Sequence, residues 1–146
     1  MASRIDSAKR VINGTFGEMW SDGRKVAETT AVQAKIAKNK TTINLCGEFM
    51  EDSKALSGKG TGSVTLYKVD SAFIREEIDS QNGTDHRHVL VSKLRDPDSG
   101  GAERIALYNV SFDDVTLADW KAATEGSVTI PFTFTRAELL DVIEEG

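Results

Sequence analysis

Residues 60–73, GTGSVTLYKVDSAF, contain the pattern that decides the fold. After the glycines the side chains alternate, with Val64 and Leu66 on one face and polar or aromatic residues on the other. Alternation with a period of two is typical of a β-strand that buries one face. Ser71 then offers an N-cap for a short helix over residues 72–81. The stretch therefore predicts a strand that leads directly into a flanking helix.

Further runs along the chain share this alternation. Asp22-Gly23 lies between two of them, and an Asp-Gly pair is a strong signal for a two-residue hairpin turn. Residues 25–38 combine helix-favouring alanines with strand-like alternation, and we interpret them as a strand because the alternation is continuous. Asn39-Lys40 is predicted to close a tight turn before the next strand. The other strands are predicted at residues 15–20, 41–46, 86–94, 103–115 and 127–134.

Length and composition indicate one domain, since the chain has 146 residues with 39% hydrophobic and 28% charged residues. No apolar run approaches the roughly 18 residues of a membrane helix, so membrane insertion is not expected. The start, MASRIDSAKR, lacks the apolar stretch of a secretory signal, which predicts synthesis in the cytoplasm. The single cysteine, Cys46, excludes an internal disulfide framework and is interpreted as a small buried hydrophobe.

No motif indicates catalytic, metal-binding or cofactor-binding chemistry, so we expect neither an enzyme nor a cofactor. The glycine-rich residues 57–62, SGKGTG, differ from a phosphate-binding loop because Gly60 stands where that loop has Ser or Thr. His86 and His88 are interpreted as surface histidines, since no third ligand cluster lies near them. Glu76-Glu77 is interpreted as a solvent-facing pair. The net charge of −5, without a basic stripe, argues against nucleic-acid binding.

Residues 47–60, GEFMEDSKALSGKG, break the alternating pattern and are predicted to form a long loop. Phe49, Met50 and Leu56 have no evident core to enter. Apolar side chains displayed in this way are suited to contacts with another molecule. The loop is therefore predicted to be either functional or mobile.

The termini complete the predicted domain organisation, a single domain over residues 1–146. Residues 1–11 are polar and predicted to form a flexible arm. Thr135 to Glu138 matches a capping box, which predicts a short C-terminal helix over residues 136–146. The pattern as a whole predicts a β-rich, acidic single domain with one long loop.

Beyond these local patterns, the chain resembles the tail tube proteins of contractile, myovirus-type phage tails. The group it resembles is that of PBSX-type defective prophages and phage-tail-like bacteriocins. Met50 and Lys54 of the predicted loop belong to the resemblance, as do five longer stretches in order along the chain. These are NGTFGEMWSDG (13–23), AKIAKNKTTINLCG (34–47), GTGSVTLYKVDSAF (60–73), GGAERIALYNVSFDD (100–114) and VTIPFTF (128–134).

The resemblance implies a mainly β fold, an antiparallel β-sandwich or partial barrel with a flanking α-helix and a long assembly loop. It also implies a structural protein whose copies close into hexameric rings. Stacked rings would form the inner tube of the tail inside a contractile sheath, a conduit for DNA or for membrane puncture. Partners would be further copies of the chain, the tail sheath protein, and the baseplate and tail terminator proteins. DNA would pass through the lumen without specific binding, and the protein would be located in the virion tail after assembly in the bacterial cytoplasm. The candidate inter-subunit contacts are Phe49, Met50, Lys54, Leu56 and Lys59.

The tube interpretation agrees with two physical features of the chain. Edge strands of a β-sandwich offer unpaired backbone groups to another chain, and a closed ring of identical subunits pairs them. The acidic balance predicts that a bore lined by carboxylates would repel DNA and keep it centred. Two alternatives remain open at this point. One is the tube of a related injection machine, such as a type VI secretion system, and the other is a β-barrel that binds a small ligand.

Overall fold

The computed structural model describes residues 7–98 and 101–143, whose strands all pair antiparallel. The helical elements are few: α1 covers Ala72–Glu77 and continues as a 3-10 helix over Ile78–Asn82, and two 3-10 turns precede the first strand. The eight strands are β1 (Gly17–Ser21), β2 (Arg24–Lys25), β3 (Thr29–Ile43), β4 (Asp52–Tyr67), β5 (His88–Leu94), β6 (Glu103–Phe112), β7 (Ser127–Phe134) and β8 (Arg136–Asp141). The predicted mainly β, antiparallel fold with a flanking helix is confirmed.

The strands follow the order β2-β1-β5-β6-β7-β4-β3, and β8 pairs with β6 outside this path. The sheet folds over on itself, because inward-facing residues of β1, near one end of this order, and of β4, near the other end, meet in one core. Inward-facing residues of five strands meet in one core. Its most completely buried large side chains are Phe132, Met19, Leu90, Val64 and Val110.

Strand β6 changes neighbours along its length because the chain bends at Asn109. Its first part pairs with β5 and β8, and its last two residues pair with β7. Asn109 adopts a left-handed φ of 57°, and its side-chain amide donates to the Thr135 hydroxyl at 3.2 Å. The Thr135 backbone N–H donates to the Tyr108 carbonyl at 3.3 Å. These two bonds form the corner at which β7 ends and β8 begins.

The prediction of a long loop over residues 47–60 is wrong for most of that segment. Residues 52–60 belong to β4, and residues 44–51 alone connect β3 to β4. The tight turn predicted at Asn39-Lys40 is also wrong, because β3 runs through it with only a shift in register. The glycines of β4 are typical of a loop sequence, but Gly62 lies within the strand because neighbouring atoms pack closely against its backbone. A Cβ on Gly62 would lie 2.3 Å from the Gln33 carbonyl oxygen and 2.6 Å from the Phe132 ring.

The predicted C-terminal helix over residues 136–146 is wrong as well. Arg136–Asp141 forms β8, in which Arg136 pairs with Tyr108 and Asp141 with Arg104. Residues 144–146 lie outside the described part of the chain. The capping-box pattern is a local signal, whereas β6 offers a row of backbone partners along one side, and this tertiary pairing decides the structure. Likewise the predicted arm at residues 1–11 lies partly outside the described residues, and Ala8–Arg10 forms a 3-10 turn.

Helix α1 starts where the sequence predicts, although its cap is different. Ser71 makes no side-chain cap, and the Ala72 backbone N–H instead donates to the Asp70 carboxylate at 3.0 Å. Phe73 packs edge-on against Phe112 at a ring-centroid distance of 5.6 Å. The helix therefore covers the edge of the core where β6 ends.

A buried ionic cluster fixes this helix to the sheet. His88 is only 7% exposed, so its interpretation as a surface histidine is wrong. Its Nε2 lies 2.7 Å from Glu77 Oε1, and its Nδ1 lies 2.7 Å from Asp22 Oδ2. Glu77 is buried too, which makes the solvent-facing interpretation wrong for this residue. Asp22 lies in the predicted two-residue hairpin turn, which is confirmed by the positive φ of both Asp22 and Gly23.

The two carboxylates favour the charged form of His88. Burial alone lowers the pKa of His88, but the hydrogen bonds to Asp22 and Glu77 outweigh it, so that this pKa is raised. Burial alone raises the pKa of the Asp22 carboxyl. The hydrogen bonds that this carboxyl accepts from His88 and from the Val89 N–H outweigh burial, so that its pKa is lowered. Protonated His88 thus cross-links α1, the β1–β2 turn and β5.

Replacing His88 by Gln should lower the free energy of unfolding by about 1–3 kcal/mol, because Glu77 and Asp22 lose a shared buried donor. A group with a raised folded-state pKa stabilises the fold fully below its unfolded pKa and loses that contribution as the pH rises. The stability gap between wild type and His88→Gln should therefore narrow above pH 6.5. Urea denaturation over a pH series measures the difference in unfolding free energy between the two proteins. A difference that is independent of pH would contradict the charged cross-link.

Gly62→Ala should destabilise the protein by about 1–3 kcal/mol, because the added methyl group meets backbone and the Phe132 ring. Gly14→Ala is the matched control, since no heavy atom lies within 4 Å of its added Cβ. Thermal unfolding monitored by circular dichroism compares the two variants. Equal melting temperatures would show that the close approach at Gly62 is not a packing requirement.

Candidate assembly surface

The β3–β4 hairpin extends well beyond the sheet that supports it. Strand β4 pairs with β7 only from Gly60 to Tyr67, whereas residues 52–59 pair with β3 alone. We call residues 37–59 the projecting ribbon. Every residue in it is exposed. Because an isolated two-stranded hairpin is marginally stable in water, the projecting ribbon is a structure that benefits from a further partner.

All five candidate contact residues lie on the projecting ribbon. Phe49 and Met50 occupy its tip, with side chains 102% and 81% exposed. Leu56, Lys54 and Lys59 follow along β4, and Leu56 is 66% exposed. The structure thus places the predicted residues on one continuous element, although as a strand hairpin and not a loop. Their role in contacts between subunits stays a prediction.

The tip also contains apolar residues that the sequence pattern did not single out. Leu45 is 57% exposed, and Cys46 is exposed as well, so the interpretation of Cys46 as a buried hydrophobe is wrong. Both were assigned to a strand with one buried face. The signal that could have corrected this is Gly47, whose φ of 86° marks the turn directly after them.

Several strand edges lack a strand partner within the described part of the chain. Apart from the edge of the two-residue strand β2, they include the outer edge of β3, the outer edge of β8, and the edge of β4 along residues 52–59. The last two diverge from Gly60 and leave an open cleft of about 490 Å³, bordered by Ile36, Phe134 and Ala137. Unpaired edges of this length are templates for strands of another chain.

Charges are distributed unevenly over these surfaces. The tip of the projecting ribbon is acidic at Glu48, Glu51 and Asp52, and its shaft is basic at Lys38, Lys40, Lys54 and Lys59. On β8, Glu138 accepts a hydrogen bond from the Tyr108 hydroxyl at 3.0 Å and lies 3.6 Å from Arg136. The bond to Glu138 raises the pKa of Tyr108. Such exposed pairs contribute little to stability, but they can select which edge a partner meets.

The described residues contain no cluster of His, Cys, Asp and Glu that could hold a metal ion. The cavity beneath α1, between Phe73, Phe112 and Ile130, encloses about 20 Å³, which is room for one water molecule. In the His88 cluster both ring nitrogens already face carboxylates. None of the described helices is long or apolar enough to cross a bilayer.

The fold is shared with chains of solved contractile injection systems. A chain in the sheath–tube complex of an extracellular contractile injection system, PVC, superposes with a TM-score of 0.71 at 10% identity, covering 92% of this chain and 95% of that one. A solved Bacillus subtilis protein is 34% identical, with a TM-score of 0.52 over 92% of this chain and 98% of its own.

Sequence relationships go further than the fold. The phage-like element PBSX protein XkdM of Bacillus subtilis strain 168 is 35% identical over 130 residues, 87% of this chain and 88% of its own. The uncharacterized protein YqbM of the same strain is 36% identical over 141 residues, 94% of each chain. The family described as phage tail tube protein matches residues 6–141. The chain therefore belongs to the phage tail tube protein family and has a structural role in the tail tube.

Proposed function

We propose that this chain closes into hexameric rings and that the projecting ribbon joins each ring to the next in the tube. The observation that carries the proposal is that residues 37–59 are exposed throughout and end in an apolar tip. Contiguous exposed apolar side chains on a soluble subunit mark a contact surface. The ribbon continues β3 and β4 outward from the body, so its tip lies at the far end of both strands.

Contacts around the ring are assigned to the free strand edges. A cyclic ring uses two different surfaces of each subunit, one meeting the other on the neighbouring copy. The outer edges of β3 and β8 are two such surfaces on one molecule. Strand pairing between neighbours satisfies their backbone groups without exposing a new edge, since the ring is closed.

The remaining partners follow from the place of such a tube in its particle. The solved neighbours include chains from a sheath–tube complex, a tube terminating cap and a baseplate. For this chain we propose the tail sheath protein around the tube and the baseplate and terminator proteins at its ends. DNA passes through the lumen without specific binding, and assembly takes place in the bacterial cytoplasm before the tube becomes part of the virion tail.

Replacing Phe49 and Met50 together by Ser should abolish tube formation and leave the subunit folded. Both side chains are almost fully exposed, so the core loses nothing. In a tube, however, they would be buried against the next ring, where apolar anchors contribute most of the contact energy. Negative-stain microscopy and sedimentation velocity measure assembly, and circular dichroism measures folding.

The matched control is Val89→Ser, which removes an exposed apolar side chain, 37% accessible, from the body of the subunit. This control should assemble as wild type does. Long tubes of normal diameter formed by the Phe49→Ser, Met50→Ser variant would overturn the assignment of the ribbon as the inter-ring contact.

A further inference from the structure

Residues 113–126, which connect β6 to β7, form a mostly exposed loop without helix or strand. We call it the Trp120 loop, because Trp120 lies on it with a side chain that is 86% exposed. Leu117, on the same loop, is 60% exposed. Irregular loops longer than about 12 residues are usually functional, and Trp is enriched at the hot spots of protein interfaces. The loop therefore presents large apolar side chains that the described part of the subunit leaves largely uncovered.

The Trp120 loop borders an open pocket, which we call the Trp120 pocket. Trp120 and Leu117 line it together with Val128, which packs against the core of the subunit. The volume of the pocket is about 190 Å³. Small-molecule sites usually enclose about 300–1,000 Å³, so this pocket is better suited to one large side chain of another protein. Lys68 and Asp119 add one charge of each sign to its lining.

The Trp120 pocket and the tip of the projecting ribbon lie at opposite ends of β4. The tip directly precedes Asp52, where β4 begins, and Lys68 of the pocket directly follows Tyr67, where β4 ends. The Lys68 N–H donates to the Gly126 carbonyl at 2.8 Å, which holds the Trp120 loop at this end. A strand rises about 3.3 Å per residue, so the 16 residues of β4 separate pocket and tip by roughly 50 Å along the strand. A head-to-tail stack requires two different surfaces of this kind on each subunit.

The charges of the Trp120 loop are complementary to those of the ribbon. The loop carries four carboxylates against one lysine, namely Asp113, Asp114, Asp119 and Glu125 against Lys121. The shaft of the ribbon carries four lysines, which are Lys38, Lys40, Lys54 and Lys59. Within the described part of the chain, none of these carboxylates and lysines forms an ion pair. Unpaired charges of opposite sign at the two ends attract one subunit to the next and select its orientation.

We propose that the Trp120 pocket receives the tip of the projecting ribbon of a subunit in the adjacent ring. This inference rests on the proposed function, and it names the surface that the ribbon meets. Phe49 or Met50 enters the pocket, where an aromatic ring or a methionine sulfur packs favourably against Trp120. Glu48, beside them, comes close to Lys68, and the lysines of the shaft face the carboxylates of the loop.

This contact lets a tube grow from one kind of subunit. Each copy carries one tip and one pocket, so every added ring leaves a new set of tips or pockets free. A series of such contacts runs from ring to ring along the tube and not around it. Cross-links between tip and pocket should therefore join subunits into chains that are longer than one hexameric ring.

Cysteine cross-linking tests the inference, because the tip already carries the exposed Cys46. Ala118→Cys adds a thiol to the lining of the Trp120 pocket. Assembled tubes are treated with a short bifunctional maleimide, and the products are separated on a denaturing gel. We expect Ala118→Cys tubes to give a ladder of covalent chains that continues beyond the hexamer. The matched control is Asp98→Cys, which places a thiol at an exposed position in the turn between β5 and β6. Neither this control nor the wild type should give a ladder.

Ala118→Cys tubes that give no ladder would overturn the inference and leave the pocket to another protein. A ladder that stops at the hexamer would overturn it too, because it would place the contact within a ring, as would an equal ladder from Asp98→Cys. Should Ala118→Cys fail to assemble, Asp119→Cys, which also lines the pocket, replaces it. The proposed function fails separately: it is contradicted if the wild-type protein itself forms no tubes under the microscope.

Discussion

The pairing of β3 with β4 is the interaction on which the rest of the structure depends. It is longer than the sheet that contains it, since β7 supports β4 only over residues 60–67. Beyond Gly60 the two strands satisfy only each other's backbone groups, and no side chain of the ribbon is covered. Ordering the ribbon costs conformational entropy. Burial of its side chains offsets that cost only if another molecule covers the ribbon. In the proposed assembly, neighbouring subunits cover the ribbon and complete the fold.

A long projecting element is useful only if the body holds it at a fixed angle. The core around Phe132 and Val64 does this at the base of the hairpin, where Gly62 lets the strands approach. The corner at Asn109 and Thr135 turns β8 away from the ribbon and leaves the cleft between them open. The His88 cluster joins the helix to the far side of the sheet.

Local sequence patterns predicted the elements that local physics determines. Neighbouring residues are enough to predict the Asp22-Gly23 turn, the alternation at the end of β4 and the start of α1. The ribbon and β8 could not be predicted in this way, because Gly, Ser and Lys are typical of loops and a capping box is typical of helices. Glu77 and Asp22 meet His88 from 11 and 66 residues away, a contact that no spacing rule indicates. The resemblance to tube proteins suggested candidate contact residues whose role stays a prediction, while their arrangement on a hairpin needed the structure.

Amide hydrogen exchange along β4 tests the central claim most directly. Residues 60–67 are paired on both sides within the subunit, and residues 52–59 on one side only. The amides of residues 52–59 should exchange much faster than those of residues 60–67 in free subunits, because a two-stranded ribbon opens readily. In assembled tubes the two segments should become similarly protected. Exchange in residues 52–59 that is equally fast before and after assembly would show that neighbouring subunits do not cover the ribbon, and would contradict the account.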